Sequence, residues 1–198
     1  VAGELQLLAL FDKPDPLQGP YFAETLYVTP SRLAPRLQQE LVTAAAAAAK
    51  ALGLTEGPIH AELRFNDDGV WVVEVAARTI GGLCARTLQF PAHISLEELV
   101  LRHALGREVN TLRAEGATGV MMIPVPDRGV LRRVEGLEAA RAVPAVEEIV
   151  MSVAMGTPVE PLPEGDRYLG FIFVRDRTPD AVERGLRAAF NALSVTIE

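Results

Sequence analysis

Residues 60–75 read HAELRFNDDGVWVVEV, a pattern typical of two β-strands joined by a tight turn. β-Branched and aromatic residues are interleaved with polar ones on both sides of the turn, and an Asp-Gly pair is favoured in hairpin loops. A three-residue loop at 67–69 would place Gly69 in the left-handed backbone conformation, which glycine adopts without strain. The sequence therefore predicts an antiparallel hairpin.

Two glutamates are predicted to face each other across this hairpin. With a loop at 67–69, Arg64 lies opposite Val72. Counting outward, Glu62 lies opposite Glu74, and both carboxylates point to the same side of the sheet. Like charges in directly opposite positions destabilise a sheet, and a bound cation would remove that repulsion. Paired carboxylates suit Mg²⁺, which commonly also binds substrate phosphates. The alternative is a solvated pair on a surface hairpin, neutralised by Arg64.

The chain after the hairpin supplies a cation and two glycines, since residues 75–82 read VAARTIGG. Arg78 follows Glu74 by four positions, and a guanidinium binds a phosphate or carboxylate with two hydrogen bonds. Gly81 and Gly82 let backbone N–H groups approach an anion closely. The alternatives are a surface ion pair for Arg78 and an ordinary turn for the two glycines.

The segments HAELR at 60–64 and EVAARTIGG at 74–82 resemble the ATP-grasp superfamily, the carboxylate–amine ligases. They look most like the L-amino-acid ligase branch, which is related to biotin carboxylase. The resemblance covers residues 1–115 well and the remainder more loosely. Ala76 stands where many members have an asparagine that helps to hold a metal ion. The sequence therefore does not decide whether a second metal ion binds.

The resemblance implies that ATP phosphorylates a substrate carboxylate and that an amine then attacks the acyl phosphate. It implies that Glu62 and Glu74 hold Mg²⁺ or Mn²⁺ at the phosphates of ATP. Arg78 would steady the acyl phosphate as the catalytic cation. Gly81 and Gly82 would offer backbone donors and space to the nucleotide.

Three further residues are candidates with alternatives. The resemblance implies that Glu24 meets the substrate amine, because an acid near this position does so in amino-acid ligases; a solvated strand residue is the alternative. Lys13 could contact an anion or be solvated. His60 lies two residues before Glu62 and could border the metal site or be structural.

Two other functions remain open at the level of sequence. A biotin-carboxylase-like, ATP-dependent carboxylation would share the metal motif. A non-catalytic interaction module is the alternative of a different class. The identities of the carboxylate and amine substrates are not readable from the residues.

The composition limits the classes of binding partner and the cellular compartment that are expected. The chain has 198 residues and a formal net charge of −7 without a basic run, which argues against nucleic acid or an anionic membrane as the main partner. ATP and a small carboxylate and amine are the expected ligands, and a homo-oligomer is compatible with the sequence. With one cysteine, Cys84, no internal disulfide forms, which favours a reducing, cytoplasmic compartment. Cys84 itself is read as a small buried residue.

We expect an α+β chain of two domains. Residues 1–115 are predicted to be the C-terminal half of an ATP-grasp domain, an antiparallel sheet with packed helices. Residues 116–198 are predicted to be a small α+β domain that resembles the C-terminal domain of the L-amino-acid ligases. Because the resemblance begins in the second half of the ATP-grasp fold, we expect a fragment that is inactive by itself.

Local patterns predict the individual elements. Strands are expected at 3–11 and 24–29, with a proline-rich loop at 12–20 between them. A helix starts near Pro35 and stops at Gly53, and a second one starts after a Ser95 capping box and ends at Gly106. In the second domain we expect four strands, at 118–124, 129–134, 149–154 and 168–175. A helix capped by Thr178 follows them, and a last strand is expected at 194–198.

Overall fold

The computed structural model describes residues 1–16 and 24–198, so that residues 17–20 of the predicted loop lie outside the described residues. The fold is mixed α+β with antiparallel sheets, as predicted. The strands are, in chain order, β1 (Leu26–Thr29), β2 (His60–Asn66), β3 (Gly69–Ala76), β4 (Gln89–Phe90), β5 (Ile94–Ser95), β6 (Ala117–Ile123), β7 (Gly129–Glu135), β8 (Val146–Met151), β9 (Pro158–Val159), β10 (Gly170–Asp176) and β11 (Ser194–Ile197). The helices are α1 (Pro35–Ala51), α2 (Leu96–Ala104), α3 (Leu137–Arg141) and α4 (Pro179–Asn191).

The chain forms two compact units. The first unit comprises Val1–Leu10 and Ser31–Glu115, and the second unit comprises Phe11–Pro30 and Gly116–Glu198. One boundary between the two units falls between Glu115 and Gly116. Residues 11–16 and 24–30, which the sequence assigned to the first domain, lie in the second unit, where β1 pairs with β6.

In the first unit, α1 packs against the hairpin of β2 and β3. The helix begins at Pro35, where a missing N–H costs nothing because the first helical N–H groups have no intrahelical acceptor. Its buried positions Leu41, Ala45 and Ala49 recur every four residues and form one narrow face. The small alanines let the helix approach the strands closely, and Gly53 follows the helix with a φ of +71°.

The predicted strand at 3–11 is wrong. This segment joins no sheet in the described part of the chain, and the first bridge after it pairs Asp12 with Val28. Apolar residues alone do not make a strand, because the backbone N–H and C=O groups also need a neighbouring strand.

The second unit contains a four-stranded antiparallel sheet in the order β1-β6-β10-β8. The helix α4 packs on β6 and β10, and its Val182, Leu186 and Ala189 are fully buried. Close packing requires Gly119 on β6, because a β-carbon there would lie 2.7 Å from Val182 Cγ1. A three-stranded sheet in the order β11-β7-β9 completes the unit.

The predicted elements of the second unit are largely confirmed, with two exceptions. The strand expected at 149–154 lies earlier, at Val146–Met151, and the short α3 and β9 were not predicted. Among the described residues, no helix combines the length and the apolar character needed to cross a bilayer.

Candidate functional site

The turn of the β2–β3 hairpin is one residue shorter than predicted. Asn66 pairs directly with Gly69, so the loop holds two residues rather than three. Asn66 Oδ1 accepts hydrogen bonds from the Asp68 N–H at 3.0 Å and from Trp71 Nε1 at 3.1 Å. Because these bonds stabilise the tighter turn, Arg64 faces Trp71, one position earlier on β3 than predicted.

A β-bulge restores the predicted pairing of the two glutamates. On the turn side of the bulge, Leu63 pairs with Val72. On the other side Glu62 pairs with Glu74, which leaves Val73 as an extra residue on β3. Without this extra residue Glu62 would pair with Val73, and Glu74 would point to the opposite face. The pairing of Glu62 with Glu74 is thus confirmed, but the bulge, and not the turn, produces it.

Each glutamate has its own polar neighbour. Glu62 Oε1 lies 3.2 Å from His60 Nε2 on the same strand. Glu74 Oε1 accepts a hydrogen bond of 3.4 Å from Arg78 Nη2. The Glu62 side chain is 27% exposed and that of Glu74 is 50% exposed. The pair is therefore open to water on one side, and a ligand can reach both carboxylates.

Arg78 and the glycine pair lie together at the end of the hairpin. Arg78 Nη1 donates to the Thr79 carbonyl at 3.0 Å, so its guanidinium is fixed on two sides. A β-carbon at Gly81 would lie 3.7 Å from that same Nη1 atom. Gly82 has a φ of +59°, a conformation that favours glycine. The structure thus brings Arg78 close to Glu74 and Gly81, as the motif predicted.

The donor set fits a hard divalent cation that shares its coordination with a substrate. Carboxylate oxygens are the ligands that Mg²⁺ prefers, and it commonly takes one or two of them from protein and the rest from water and phosphate. Within residues 1–16 and 24–198, no three His, Cys, Asp or Glu side chains are grouped as a complete metal cage would require. Glu62 and Glu74 therefore suit a shared site rather than a dedicated structural one.

Glu24 lies in the second unit, two residues before β1 begins at Leu26. Its carboxylate pairs with the Lys13 ammonium, and Lys13 Nζ also lies 5.2 Å from the centroid of the Tyr27 ring. Both charged side chains are about 30% exposed or less, so the pair is partly shielded from water. Lys13 is thus an ion-pair partner of Glu24 as well as a candidate anion contact.

Sequence reasoning missed a second polar cluster beside Glu24. Asp15 accepts hydrogen bonds from the Thr25 hydroxyl and from Arg187 Nη2 on α4, the latter at 2.6 Å. Burial alone would raise the pKa of Asp15, but the hydrogen bonds from Thr25 and Arg187 and the charge of Arg187 lower it. Asp15 and Arg187 are 172 residues apart, so no local sequence signal could have joined them.

Comparison with protein families finds two matches along the chain. Residues 1–87 match the family model of the ATP-grasp domain, and residues 121–198 match that of L-amino acid ligase C-terminal domain 2. A curated relative, the uncharacterized protein y4rH of Sinorhizobium fredii (strain NBRC 101917 / NGR234), is 27% identical over 141 residues. That alignment covers 71% of this chain and 30% of the relative.

Solved structures share the fold of this chain. The L-amino acid ligase from Bacillus licheniformis superimposes with a TM-score of 0.84 and 27% identity, covering 100% of this chain and 50% of the ligase. Biotin carboxylase from Campylobacter jejuni has the same fold, with a TM-score of 0.62 and 16% identity over 88% of this chain and 40% of its own. The chain thus spans half the length of the L-amino acid ligase.

Proposed function

We propose that the protein carrying this chain is an ATP-dependent ligase that joins a carboxylate to an amine, since residues 1–87 match the ATP-grasp domain family and the chain superimposes on an L-amino acid ligase. The observation that carries the proposal is the in-register pairing of Glu62 with Glu74, with Arg78 bonded to Glu74. The match of residues 121–198 to an L-amino acid ligase domain favours an amine acceptor over a biotin-carboxylase-like reaction.

The proposed reaction has two steps. A substrate carboxylate oxygen attacks the γ-phosphorus of ATP, the bond to the β-phosphate oxygen breaks, and ADP leaves. The nitrogen of the amine then attacks the acyl carbon, the carbon–oxygen bond to phosphate breaks, and inorganic phosphate leaves. Starting from the ammonium form, the nitrogen gives up one proton before the attack and a second one after it, and an amide or peptide bond remains.

The hairpin residues have separate roles in this proposal. Glu62 and Glu74 would hold Mg²⁺ or Mn²⁺, and when bound, this ion neutralises negative charge on the phosphates. The Arg78 guanidinium would hold the acyl phosphate by paired hydrogen bonds, since it is already oriented by Glu74 and the Thr79 carbonyl. Gly81 and Gly82 would leave room for the nucleotide and offer it backbone N–H groups.

Glu24 would accept hydrogen bonds from the ammonium group of the amine substrate. An incoming ammonium can replace the Lys13 ammonium on this carboxylate, because both are cations with several N–H donors. The remaining ligands in the proposal are ATP and a small carboxylate. We place the enzyme in the cytoplasm, a location that suits its buried Cys84.

The 198 residues by themselves should have no ligase turnover and should bind MgATP weakly. They span half of the L-amino acid ligase structure, so they would offer ATP an incomplete cleft. Titration calorimetry with MgATP checks this expectation, and sub-micromolar binding would contradict it.

The decisive experiment measures ADP release by the complete gene product with panels of carboxylates and amines. We expect release to require both a carboxylate and an amine, and the product to carry a new amide bond by mass spectrometry. Release with bicarbonate and biotin instead would support the carboxylase alternative. No ATP turnover under any condition would favour a non-catalytic interaction module.

A further inference from the structure

An arginine on α4 is connected to the backbone that carries Glu24. Arg187 Nη2 donates to Asp15 Oδ1 at 2.6 Å and to Glu183 Oε1 at 2.7 Å, and Arg187 Nε also donates to Glu183 at 3.0 Å. Glu183 lies one helical turn earlier on α4, so it orients the guanidinium towards Asp15. The arginine thus bridges a helix and the segment that precedes β1.

Asp15 passes this restraint to the neighbour of Glu24. Its second oxygen, Oδ2, accepts a hydrogen bond from the Thr25 hydroxyl. The Thr25 carbonyl in turn accepts a bond of 2.8 Å from the Met122 N–H on β6. Thr25 is therefore fixed by both its side chain and its backbone, and Glu24 is the residue directly before it.

Two further contacts hold the same segment. The backbones of Asp12 and Val28 exchange hydrogen bonds of 2.8 and 3.0 Å. The Lys13 ammonium pairs with the Glu24 carboxylate. These contacts connect the chain before and after Glu24, and Arg187 adds a restraint from α4.

The charges are arranged to favour a cation at Glu24. Arg187 donates to two carboxylates, those of Asp15 and Glu183, and the Lys13 ammonium pairs with the Glu24 carboxylate. A substrate ammonium that replaces Lys13 would meet a carboxylate whose backbone is already ordered, and ordering in advance lowers the cost of binding.

We propose that Arg187 is a positioning residue for the amine substrate: through Asp15 and Thr25 it fixes the segment that presents Glu24 to the ammonium group. This inference rests on the proposed ligase function. Arg187 touches no substrate in this scheme, so its loss should weaken amine binding and leave the phosphoryl-transfer step in place.

Kinetics of the complete gene product test this role. For Arg187→Met we expect the amine KM to rise about tenfold with kcat nearly unchanged, the pattern of a lost binding contribution. The KM values for MgATP and for the carboxylate should stay within about twofold of the wild type. Arg187→Lys keeps the charge but not the planar fork, so its KM for the amine should lie between those of Arg187→Met and the wild type. Arg184→Met is the matched control, because Arg184 is exposed on the same helix.

A structural readout separates this inference from the proposed function. Hydrogen exchange of a peptide covering residues 24–29 should become faster in Arg187→Met and remain unchanged in Arg184→Met. If the wild-type protein shows no amine-dependent turnover, the proposed function and the amine role fail together. If turnover is normal but Arg187→Met leaves both the amine KM and the exchange rate unchanged, only the positioning role is refuted. An equal rise in all three KM values would also refute it, because that pattern indicates general damage.

Discussion

Replacing Glu74 by glutamine should separate catalysis from stability. Glutamine keeps the shape of the side chain but is neutral, so the change removes one of the two carboxylates offered to the metal ion. Loss of groups that only orient metal ligands typically costs 10–100-fold in affinity or activity, so loss of a direct ligand should lower amine-dependent ADP release by at least about 100-fold.

The same change should leave the unfolding free energy nearly unaltered in the absence of metal. Relief of the repulsion between Glu62 and Glu74 stabilises the hairpin by about 0.2–1 kcal/mol. Loss of the exposed Arg78–Glu74 ion pair, at 3.4 Å, costs about 0.3–0.5 kcal/mol. The two effects oppose each other, so the melting temperature should remain within about 2 °C of the wild type.

A melting scan without metal and an ADP-release assay with Mg²⁺ measure the two effects. Glu98→Gln is the matched control, because Glu98 forms an i,i+4 pair with Arg102 at 2.6 Å, is 49% exposed and faces no second carboxylate across a hairpin. It should lose about 0.3–0.5 kcal/mol and keep its turnover. Wild-type rates for Glu74→Gln would refute the metal-site reasoning. A loss of more than about 2 kcal/mol would show that the glutamate is structural.

Three further changes test other parts of the structure. Arg78→Lys keeps the charge but loses the bidentate fork, so kcat should fall about 10–100-fold at an unchanged melting temperature; equal turnover of the two proteins would exclude a clamping role. Gly119→Ala places a β-carbon 2.6 Å from the Tyr27 carbonyl oxygen, and urea unfolding should show a loss of at least about 2 kcal/mol; a neutral result would mean that β6 and α4 pack less closely than described. The lowered pKa of Asp15 means that its stabilising contribution is complete above the ordinary carboxyl pKa and is lost as the pH falls through the lowered value. Below about pH 4, the unfolding free energy of Asp15→Asn should therefore fall less steeply with decreasing pH than that of the wild type. Equal slopes for the two proteins would contradict the Arg187–Asp15 pairing.

The hairpin of β2 and β3 was predicted correctly except for the length of its turn. Alternation and the Asp-Gly pair predicted two antiparallel strands, and the strands are there. The turn was predicted one residue too long, because the hydrogen bonds accepted by the Asn66 side chain were not considered. The error did not change the predicted pairing of the two glutamates, since the extra residue Val73 shifts the register by one and pairs Glu62 with Glu74. A bulge of this kind has no reliable signal in a single sequence.

Signals between neighbouring residues predicted the helices α1, α2 and α4. Pro35 and Gly53 bracket α1, and Thr178 with Pro179 starts α4, because capping and proline effects act within one turn of the chain. Val182 and Leu186 are four residues apart and share the buried face of α4, as the helical repeat requires. These features need no knowledge of the rest of the molecule.

The contacts between distant segments could not be predicted from the sequence, because they depend on the tertiary fold. The strand expected at 3–11 does not form, and β1 joins a sheet with β6, about ninety positions further along the chain. The bond between Arg187 and Asp15 likewise spans 172 positions, and it provides the positioning role inferred for α4. The physical reason is that strand pairing and ion pairing depend on which groups the fold brings together. Sequence periodicity specifies the face that a residue occupies, but it does not specify the partner on the other side.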